Sequence, residues 1–322
     1  MMSNKDAATT SKIIPNKVSI NTRIFRHKGF YIMLLPVLLF VMVFHYAPML
    51  GIRYAFYEYK GIREPVWVGI RHFNKMFSMP GFWSAFRNTL TLSTLKLIIN
   101  TSMAVIISIM LNELVHLKFK KVTQTIVYLP HFMSWVVTAS VFALILSPSQ
   151  EGLVNSLLVQ FGILERGSEI YFLGNKDWWT PIFFVINIWK DTGWGTIIFM
   201  ATLTGISPEL YEAASMDGAG RFQKILYITV PALMNTIITV LILNLAKVMN
   251  LFESVFVLQN DAVIKQADVL QTYIYTQTFN SGALPDYGYT TAVGLAKSLV
   301  GCALVLICNQ ISKKIRAGRG IV

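Results

Sequence analysis

The sequence predicts an all-α integral membrane protein with six transmembrane helices and both termini in the cytoplasm. Hydrophobic residues make up 54% of the chain and charged residues 14%, whereas soluble domains carry roughly 25% charged residues. Six apolar runs are long enough, or nearly so, to cross a hydrocarbon core of about 30 Å. Basic residues are concentrated in the segments on one side of these runs, which is the positive-inside pattern of membrane proteins.

The net charge of +12 fits a membrane protein better than a nucleic-acid-binding one. The basic residues are concentrated in the first 29 residues, in the loop 112–123 and in the closing KKIRAGRG, whereas the other loops hold similar numbers of acids and bases. This asymmetry orients a membrane protein with its basic loops inside. We therefore expect a lipid bilayer and no nucleic acid as a partner.

We place the six spans at 30–50, 88–111, 124–146, 181–203, 233–257 and 289–309. The first begins after a basic segment without a small-residue cleavage site, which indicates an uncleaved anchor. Prolines in the first and third spans are compatible with membrane helices, and polar residues interrupt the fourth and fifth. The chain would then consist of a basic cytoplasmic tail (1–29), a six-helix domain (30–316) and a short cytoplasmic tail (317–322).

The predicted outer loops, 51–87, 147–180 and 258–288, are rich in Trp and Tyr, which typically anchor a protein at the membrane interface. Cys302 and Cys308 are separated by roughly 9 Å along a helix, too far for a disulfide. The histidines are scattered along the chain, so neither a metal site nor a catalytic set is indicated.

The segment 207–232, between the fourth and fifth spans, predicts two short helices on the cytoplasmic face. Ser207 suits the N-cap of the first helix and Pro208 its first turn. Gly218 and Gly220 would end or bend that helix, and a second helical stretch leads from Arg221 into the fifth span. Such a helix either offers a docking surface to a partner protein or lies in the lipid interface, and the pattern alone leaves both open.

The same segment resembles the EAA loop of binding-protein-dependent ABC importers. The run Glu212-Ala213-Ala214 is followed, at the spacing of that family, by Gly218, Ile228 and Pro231. The one departure is Val230, where Leu is usual.

Other stretches are similar to the carbohydrate-uptake, maltose-type branch of these permeases. They are Asp217-Gly218-Ala219, the WVGIRHF of 67–73, the NTL at 88–90 and Tyr128-Leu129-Pro130. From about residue 28 to 316 the chain is most similar to permeases for complex saccharides that work with lipoprotein binding proteins.

This resemblance implies the type I ABC importer permease fold in the cytoplasmic membrane. It also implies a coupling helix, at about 207–232, that fits a cleft of an ATPase subunit. Seven residues are expected to serve this contact: Glu212, Ala213, Ala214, Asp217, Gly218, Ile228 and Pro231.

The resemblance also implies an ABC ATPase dimer inside, a solute-binding protein outside and a second homologous permease that completes a heterodimer. No GxxxxGK[ST] phosphate loop occurs in the sequence, so ATP and Mg are expected on the partner ATPase. We expect no cofactor, metal or catalytic residue in this chain, which would be a translocation subunit and not an enzyme.

Polar residues inside membrane spans usually face a cavity or a partner, because burying them in lipid is costly. In the fifth span they recur every three residues and predict one stripe along a helix. We predict a substrate pathway lined by Asn187, Trp189, Lys190, Asp191, Asn244, Lys247, Asn250 and Glu253. The alternative is that these residues pair between helices or contact the second permease.

The resemblance points to oligosaccharides as substrates. Lysines outnumber acidic residues within the predicted spans, which favours anionic saccharides such as uronate oligomers. A non-sugar solute of the same transporter class remains an alternative. An ion-coupled secondary transporter is a second one, although it has no use for an EAA loop.

Overall fold

The computed structural model describes residues 26–61, 64–149, 152–280 and 284–315. Most of the predicted tail 1–29, and all of the predicted tail 317–322, lie outside these residues. The described chain is helical except for one antiparallel pair of two-residue strands, β1 (Tyr57–Glu58) and β2 (Val66–Trp67). The all-helical prediction is confirmed apart from this hairpin. The chain divides into two compact units, one ending at Arg53 and one beginning at Tyr54.

Helix α1 (Lys28–Phe56) accounts for the described part of the first unit. It contains a π-helical turn at Met42–Tyr46 and ends in a 3-10 segment, Leu50–Phe56. Pro36 lies inside it, and a membrane helix accommodates proline by such local adjustments of the backbone. No residue from Lys28 to Met49 is buried.

The second unit is built around two long helices, α3 (Pro80–Asn112) and α7 (Lys176–Thr204), which pack along one another. A short helix α2 (Arg71–Ser78) precedes α3. Proline suits the first turn of a helix, which explains why α3 begins before the predicted span at 88. Gly195 lets the two axes approach, because a Cβ there would lie 3.0 Å from the Cβ of Ala104.

The predicted third span is broken. Helix α4 (Leu117–Phe132) and helix α5 (Trp135–Ile145) meet at an angle of 102°. The last turn of α4 is a 3-10 turn that contains Pro130, and Ser134 then caps α5 by accepting a hydrogen bond of 3.2 Å from the Val137 N–H. The structure thus divides the predicted span 124–146 between two helices, because the proline turn and the new cap redirect the chain.

The predicted fifth span is also interrupted. Helix α9 begins at Arg221, passes through a π-helical turn at Ile225–Thr229 and ends at Leu245. A 3-10 turn, Val248–Asn250, follows, and Leu251 is extended. The prediction of one continuous helix over 233–257 was wrong.

The remaining helices are short, apart from the last. They are α6 (Leu153–Gln160), α8 (Pro208–Met216), α10 (Glu253–Leu258), α11 (Ile264–Ala267), α12 (Leu270–Phe279) and α13 (Tyr287–Ile315).

Two side-chain networks tie this last part of the chain back to α2 and α3. The hydroxyls of Tyr273 and Tyr289 lie 2.8 Å apart in a buried cluster that includes residues of α2 and α3. The Lys75 ammonium contacts the Asp286 carboxylate at 3.1 Å. The two cysteines, both on α13, are free, as predicted from their spacing.

Four described helices are long and apolar enough to cross a membrane, namely α1, α3, α9 and α13, and the bent pair α4–α5 would be a fifth. Helix α7 has 29 residues and is not among the four. The chain is a multi-pass membrane protein. Six spans, and the cytoplasmic position of both termini, stay predictions.

Candidate functional site

The segment between α7 and α9 forms the two predicted helical stretches. Ser207 occupies the N-cap position of α8 with extended backbone, although its side chain makes no capping hydrogen bond. Pro208 begins the helix and Glu209 lies in its first turn, where a carboxylate interacts favourably with the helix dipole. The local chemistry of the sequence therefore predicted the start of this helix correctly.

Gly218 ends α8 in a left-handed turn. Its φ is +79°, which a residue with a Cβ adopts only with strain. The N–H of Gly218 donates to the Ser215 carbonyl at 3.1 Å, and the N–H of Ala219 donates to the Ala214 carbonyl at 2.9 Å. This pair of bonds is the Schellman motif, which satisfies the last carbonyls of a helix. The glycine thus fixes the direction in which the chain leaves α8.

Two side-chain contacts bind α8 to the start of α9. The Tyr211 hydroxyl lies 2.9 Å from the Thr229 hydroxyl, and the Lys224 ammonium donates to the Ser215 hydroxyl at 2.7 Å. Because α8 is connected to α9 both by the chain and by these contacts, a displacement of α8 would act directly on α9.

The surface of this loop is open. Met216 and Phe222, six residues apart in this loop, are large apolar side chains that are 88% and 86% exposed. Exposed apolar side chains that lie together often mark an interaction site. Of the seven residues predicted to serve the ATPase contact, Ala214 and Ile228 are half-buried. The other five are exposed: Glu212, Ala213, Asp217, Gly218 and Pro231.

A cavity of about 460 Å³, lined by both polar and apolar side chains, lies at the far end of α9 from this loop. Helix α3 contributes Ser93, Lys96, Asn100 and Thr101 to its wall, and α7 contributes Asp191 and Trp194. The end of α4 contributes His131, and the broken end of α9 contributes Asn244, Lys247 and Asn250.

The three residues from the broken fifth span face the cavity together because of the 3-10 geometry. The Lys247 N–H donates to the Asn244 carbonyl and the Asn250 N–H donates to the Lys247 carbonyl, both at 2.9 Å. Residues three apart eclipse one another in such turns. Asn244, Lys247 and Asn250 therefore line one face, as the three-residue spacing predicted. The helix that was expected to carry all of them ends at Leu245.

Asp191 is the one carboxylate among the residues that line this cavity. One of its oxygens lies 3.4 Å from the Lys96 ammonium, and the other lies 3.5 Å from Nδ1 of His131. The ring of His131 stacks on Trp194, with centroids 4.8 Å apart and planes at 12°. Among the described residues, Lys247 makes no ion pair and no side-chain hydrogen bond, so the wall carries more positive than negative charge.

Three buried polar atoms of the wall have no hydrogen-bond partner among the described residues: Ser93 Oγ, Asn100 Oδ1 and His131 Nδ1. Buried polar atoms in proteins are usually satisfied. Asn100 Oδ1 could accept a hydrogen bond from a hydroxyl-bearing ligand in the cavity, Ser93 Oγ could accept or donate one, and the role of His131 Nδ1 depends on its tautomer.

Lys190 lies beside Asp191 in sequence but is directed away from the cavity. Its side chain is buried, and its ammonium donates to the carbonyls of Pro130, His131 and Met133, at 3.1 Å in the case of His131. These carbonyls belong to the break between α4 and α5. Because a cation is favourable at the C-terminal end of a helix, Lys190 holds this break together.

The other predicted pathway residues are also outside the cavity lining. Asn187 is buried and its Nδ2 donates to the Phe183 carbonyl one turn earlier. Trp189 packs edge-on against Phe142, and Glu253 is the first residue of α10. Of the eight predicted pathway residues, the cavity brings together Asp191, Asn244, Lys247 and Asn250.

The predicted pathway set left out several polar and aromatic residues of the wall: Ser93, Lys96, Asn100, Thr101, His131 and Trp194. Lys96 lies on a span that also holds Asn100, and the two positions, four residues apart, share a helix face. That spacing was the available signal. His131 gave none, because its place in the cavity depends on the bend after Pro130.

Residues 101–317 match the family model described as "Binding-protein-dependent transport system inner membrane component". The chain is 40% identical over 296 residues to "Polygalacturonan/rhamnogalacturonan transport system permease protein YteP" of Bacillus subtilis (strain 168), covering 91% of this chain and 90% of that protein. It is 31% identical over 290 residues to "Trehalose/maltose transport system permease protein MalF" of Thermococcus litoralis, covering 88% and 93% respectively.

Solved structures are similar over nearly the whole chain. A chain of a bacterial ABC transporter involved in the import of the acidic polysaccharide alginate gives a TM-score of 0.82 at 37% identity, covering 91% of this chain and 98% of that one. A chain of a bacterial alginate ABC transporter in complex with its alginate pentasaccharide-bound periplasmic protein gives 0.84 at 36% identity, covering 94% and 99%.

Proposed function

The chain belongs to the family of binding-protein-dependent transport system inner membrane components, and from this we propose that it is the permease subunit of an ATP-driven importer of acidic oligosaccharides. The substrate would be delivered by a binding protein outside the cell and would cross through the cavity between α3, α7 and the end of α9.

The charge of the cavity is the observation that carries this proposal. Its wall holds the two lysines Lys96 and Lys247 against the single carboxylate of Asp191, and the His131 ring adds a further polar group. A uronate chain offers carboxylates to the two lysines and hydroxyls to the unpaired Ser93 and Asn100 atoms. The similarity to one permease named for polygalacturonan and rhamnogalacturonan transport, and to an alginate importer, supports the same substrate class.

The exposed loop would receive the driving force. A separate ATPase dimer, which binds ATP and Mg, would hold α8 in its cleft through the seven predicted residues. Closure of that dimer would displace α8, and α9 would transmit the movement to Asn244 at the cavity. Because this chain would contribute no bond chemistry, it acts as a translocation subunit and not as an enzyme.

The proposed assembly also contains a second, homologous permease in the cytoplasmic membrane. The apolar surface of α1, on which no residue from Lys28 to Met49 is buried, supports contact with lipid and with this partner.

Uptake of matched acidic and neutral oligosaccharides tests the substrate. We expect cells with the intact transport system to take up radiolabelled tri-galacturonate, and to lose that uptake when the gene for this chain is deleted. Lys247→Gln is expected to lower it about tenfold, consistent with removal of one charged contact. Neutral β-1,4-galactotriose serves as the control substrate of equal length.

Equal uptake of the neutral trisaccharide, together with an unaffected Lys247→Gln variant, would contradict the acidic substrate. Uptake that collapses with the ion gradient while cellular ATP stays high would instead favour a secondary transporter.

A further inference from the structure

We propose that Lys96 and His131 form a carboxylate-binding subsite, which Asp191 occupies until the carboxylate of an acidic saccharide replaces it. This inference rests on the proposed function and specifies how the same cavity selects its substrate. It assigns Asp191 the role of an internal competitor instead of a direct ligand of the saccharide.

The first argument is the position of Asp191 between the Lys96 ammonium and the His131 ring, which belong to different elements. Its Oδ2 faces the Lys96 ammonium of α3, and its Oδ1 faces the His131 ring at the end of α4. A bridging carboxylate of this kind has the same chemistry as the C6 carboxylate of a uronic acid. The subsite that accepts one therefore accepts the other.

The second argument is that the internal contacts are long. Charge-assisted hydrogen bonds in proteins are typically about 2.7–2.9 Å, whereas these two contacts are 3.4 and 3.5 Å. Nδ1 of His131 is buried and makes no hydrogen bond among the described residues. The Asp191 carboxylate thus balances the charge of Lys96 but leaves His131 Nδ1 without a hydrogen bond.

The third argument is access. The side chains of Lys96, Asp191 and His131 are 22%, 26% and 32% exposed, and all three line the cavity. A ligand in the cavity can therefore reach them. Removing a carboxylate from a partly buried cation is costly when nothing replaces it. Exchange for another carboxylate avoids that cost, whereas a neutral sugar has no group to exchange.

The fourth argument is that His131 is held in place by contacts that do not depend on Asp191. The turn that carries His131 is bound through its carbonyls to Lys190, and the His131 ring is stacked on Trp194. Trp194 is half exposed, so it also offers an aromatic surface to the apolar face of a sugar ring. His131 would therefore keep its position when the Asp191 carboxylate is exchanged.

Equilibrium binding to the purified transporter tests the exchange. The complete complex, without its binding protein, is reconstituted in lipid nanodiscs and titrated with fluorescently labelled tri-galacturonate, with labelled galactotriose as the neutral probe. Asp191→Asn, which is close in shape, is expected to tighten binding of the acidic probe about 3- to 10-fold, the range for an ion pair that is not fully buried.

The matched control is the double variant Lys96→Gln/Asp191→Asn. Because the competitor acts through Lys96, the gain in affinity is expected to disappear when Lys96 is already replaced, and Lys96→Gln alone is expected to weaken binding. Such non-additivity distinguishes competition from a general loosening of the cavity. Asp191→Ser gives the same comparison if the asparagine variant fails to assemble.

Weaker or unchanged binding of the acidic probe to both Asp191 variants would overturn the inference and leave the proposed function intact. A wild-type complex that binds the neutral probe and not the acidic one would overturn both.

Discussion

Lys190 brings a positive charge into a buried position, and its partners are three backbone carbonyls at the break between α4 and α5. A helix that ends inside a protein leaves carbonyls without intrahelical donors. An ammonium with three donors can satisfy them from a neighbouring helix. Lys190 therefore stabilises the turn that positions His131, which is a different role from contacting the substrate.

We expect Lys190→Met to destabilise the transporter by about 1–3 kcal/mol, because buried carbonyls would lose their donor. The melting temperature of the purified complex in detergent measures this loss. Lys176→Met is the matched control, since it makes the same exchange at an exposed position of the same helix.

The ratio of acidic to neutral saccharide binding should be unchanged in the folded Lys190→Met complex. A selective loss of acidic binding at an unaltered melting temperature would instead place Lys190 in the substrate pathway.

At this scale the sequence identifies polar residues inside the predicted spans, but it does not identify their partners. Asp191 and Lys190 are adjacent, both charged, and equally plausible as pathway residues from sequence. Only the folded chain separates them, because the carbonyls that bind Lys190 lie 57 to 60 residues away. No local pattern reports contacts at that distance.

The glycine turn after α8 sets the direction in which the chain leaves this exposed helix. At φ +79° Gly218 has open space around the position of a Cβ, so the constraint there is the backbone conformation and not crowding. Substitutions at Gly218 are therefore expected to differ in severity according to how well the new residue tolerates a positive φ.

Gly218→Pro is expected to abolish transport, because proline cannot adopt a positive φ and has no N–H to donate to Ser215. Gly218→Ala is expected to cost only about 1–2 kcal/mol. The measurement is ATP hydrolysis by the reconstituted transporter with and without its saccharide-loaded binding protein.

Gly220→Ala is the control, since Gly220 has a φ of −71° that alanine adopts readily. Glu212→Lys reverses a charge on the exposed face without altering the turn. Like Gly218→Pro, it is expected to uncouple ATP hydrolysis from the binding protein. If the binding protein still stimulated ATP hydrolysis fully in both variants, this loop would not couple ATP hydrolysis to transport.

Elements with a chemical signal of their own were predictable. Proline and glycine marked the start and the end of α8. Pro130 is also a chemical signal for the turn that ends α4, but it was placed inside a single predicted span. The break after Leu245 carried no such signal, because no proline or glycine occurs from 232 to 258. There the lining of the cavity depends on tertiary structure: Lys297 of α13 donates to Asn250 at 2.9 Å and to Gln271 at 2.6 Å.

For the whole molecule, the surface of α1 sets an expectation about assembly. From Phe30 to Met49 its side chains are almost all apolar, and the helix is long and apolar enough to cross a membrane. In the proposed heterodimer, part of the α1 surface would be covered by the second permease.

Cysteine cross-linking tests this contact. Single cysteines are introduced along α1, for example Leu38→Cys and Phe40→Cys, in a chain whose native Cys302 and Cys308 are replaced by serine. We expect a short bifunctional maleimide to link at least one face of α1 to cysteines placed in the co-expressed partner permease. Labelling at every α1 position without any linked product would indicate that lipid alone surrounds this helix.

The contact between Lys190 and the turn after α4 also constrains the order of events during synthesis. The carbonyls are made first, and the lysine that satisfies them follows 57 to 60 residues later. At translation rates of about 5–20 residues per second, this is a delay on the order of 3–12 s. The bend therefore cannot reach its final form while α4 and α5 leave the ribosome. Its maturation waits for α7, and until then the unfinished turn depends on water, lipid headgroups or the insertion machinery for its hydrogen bonds.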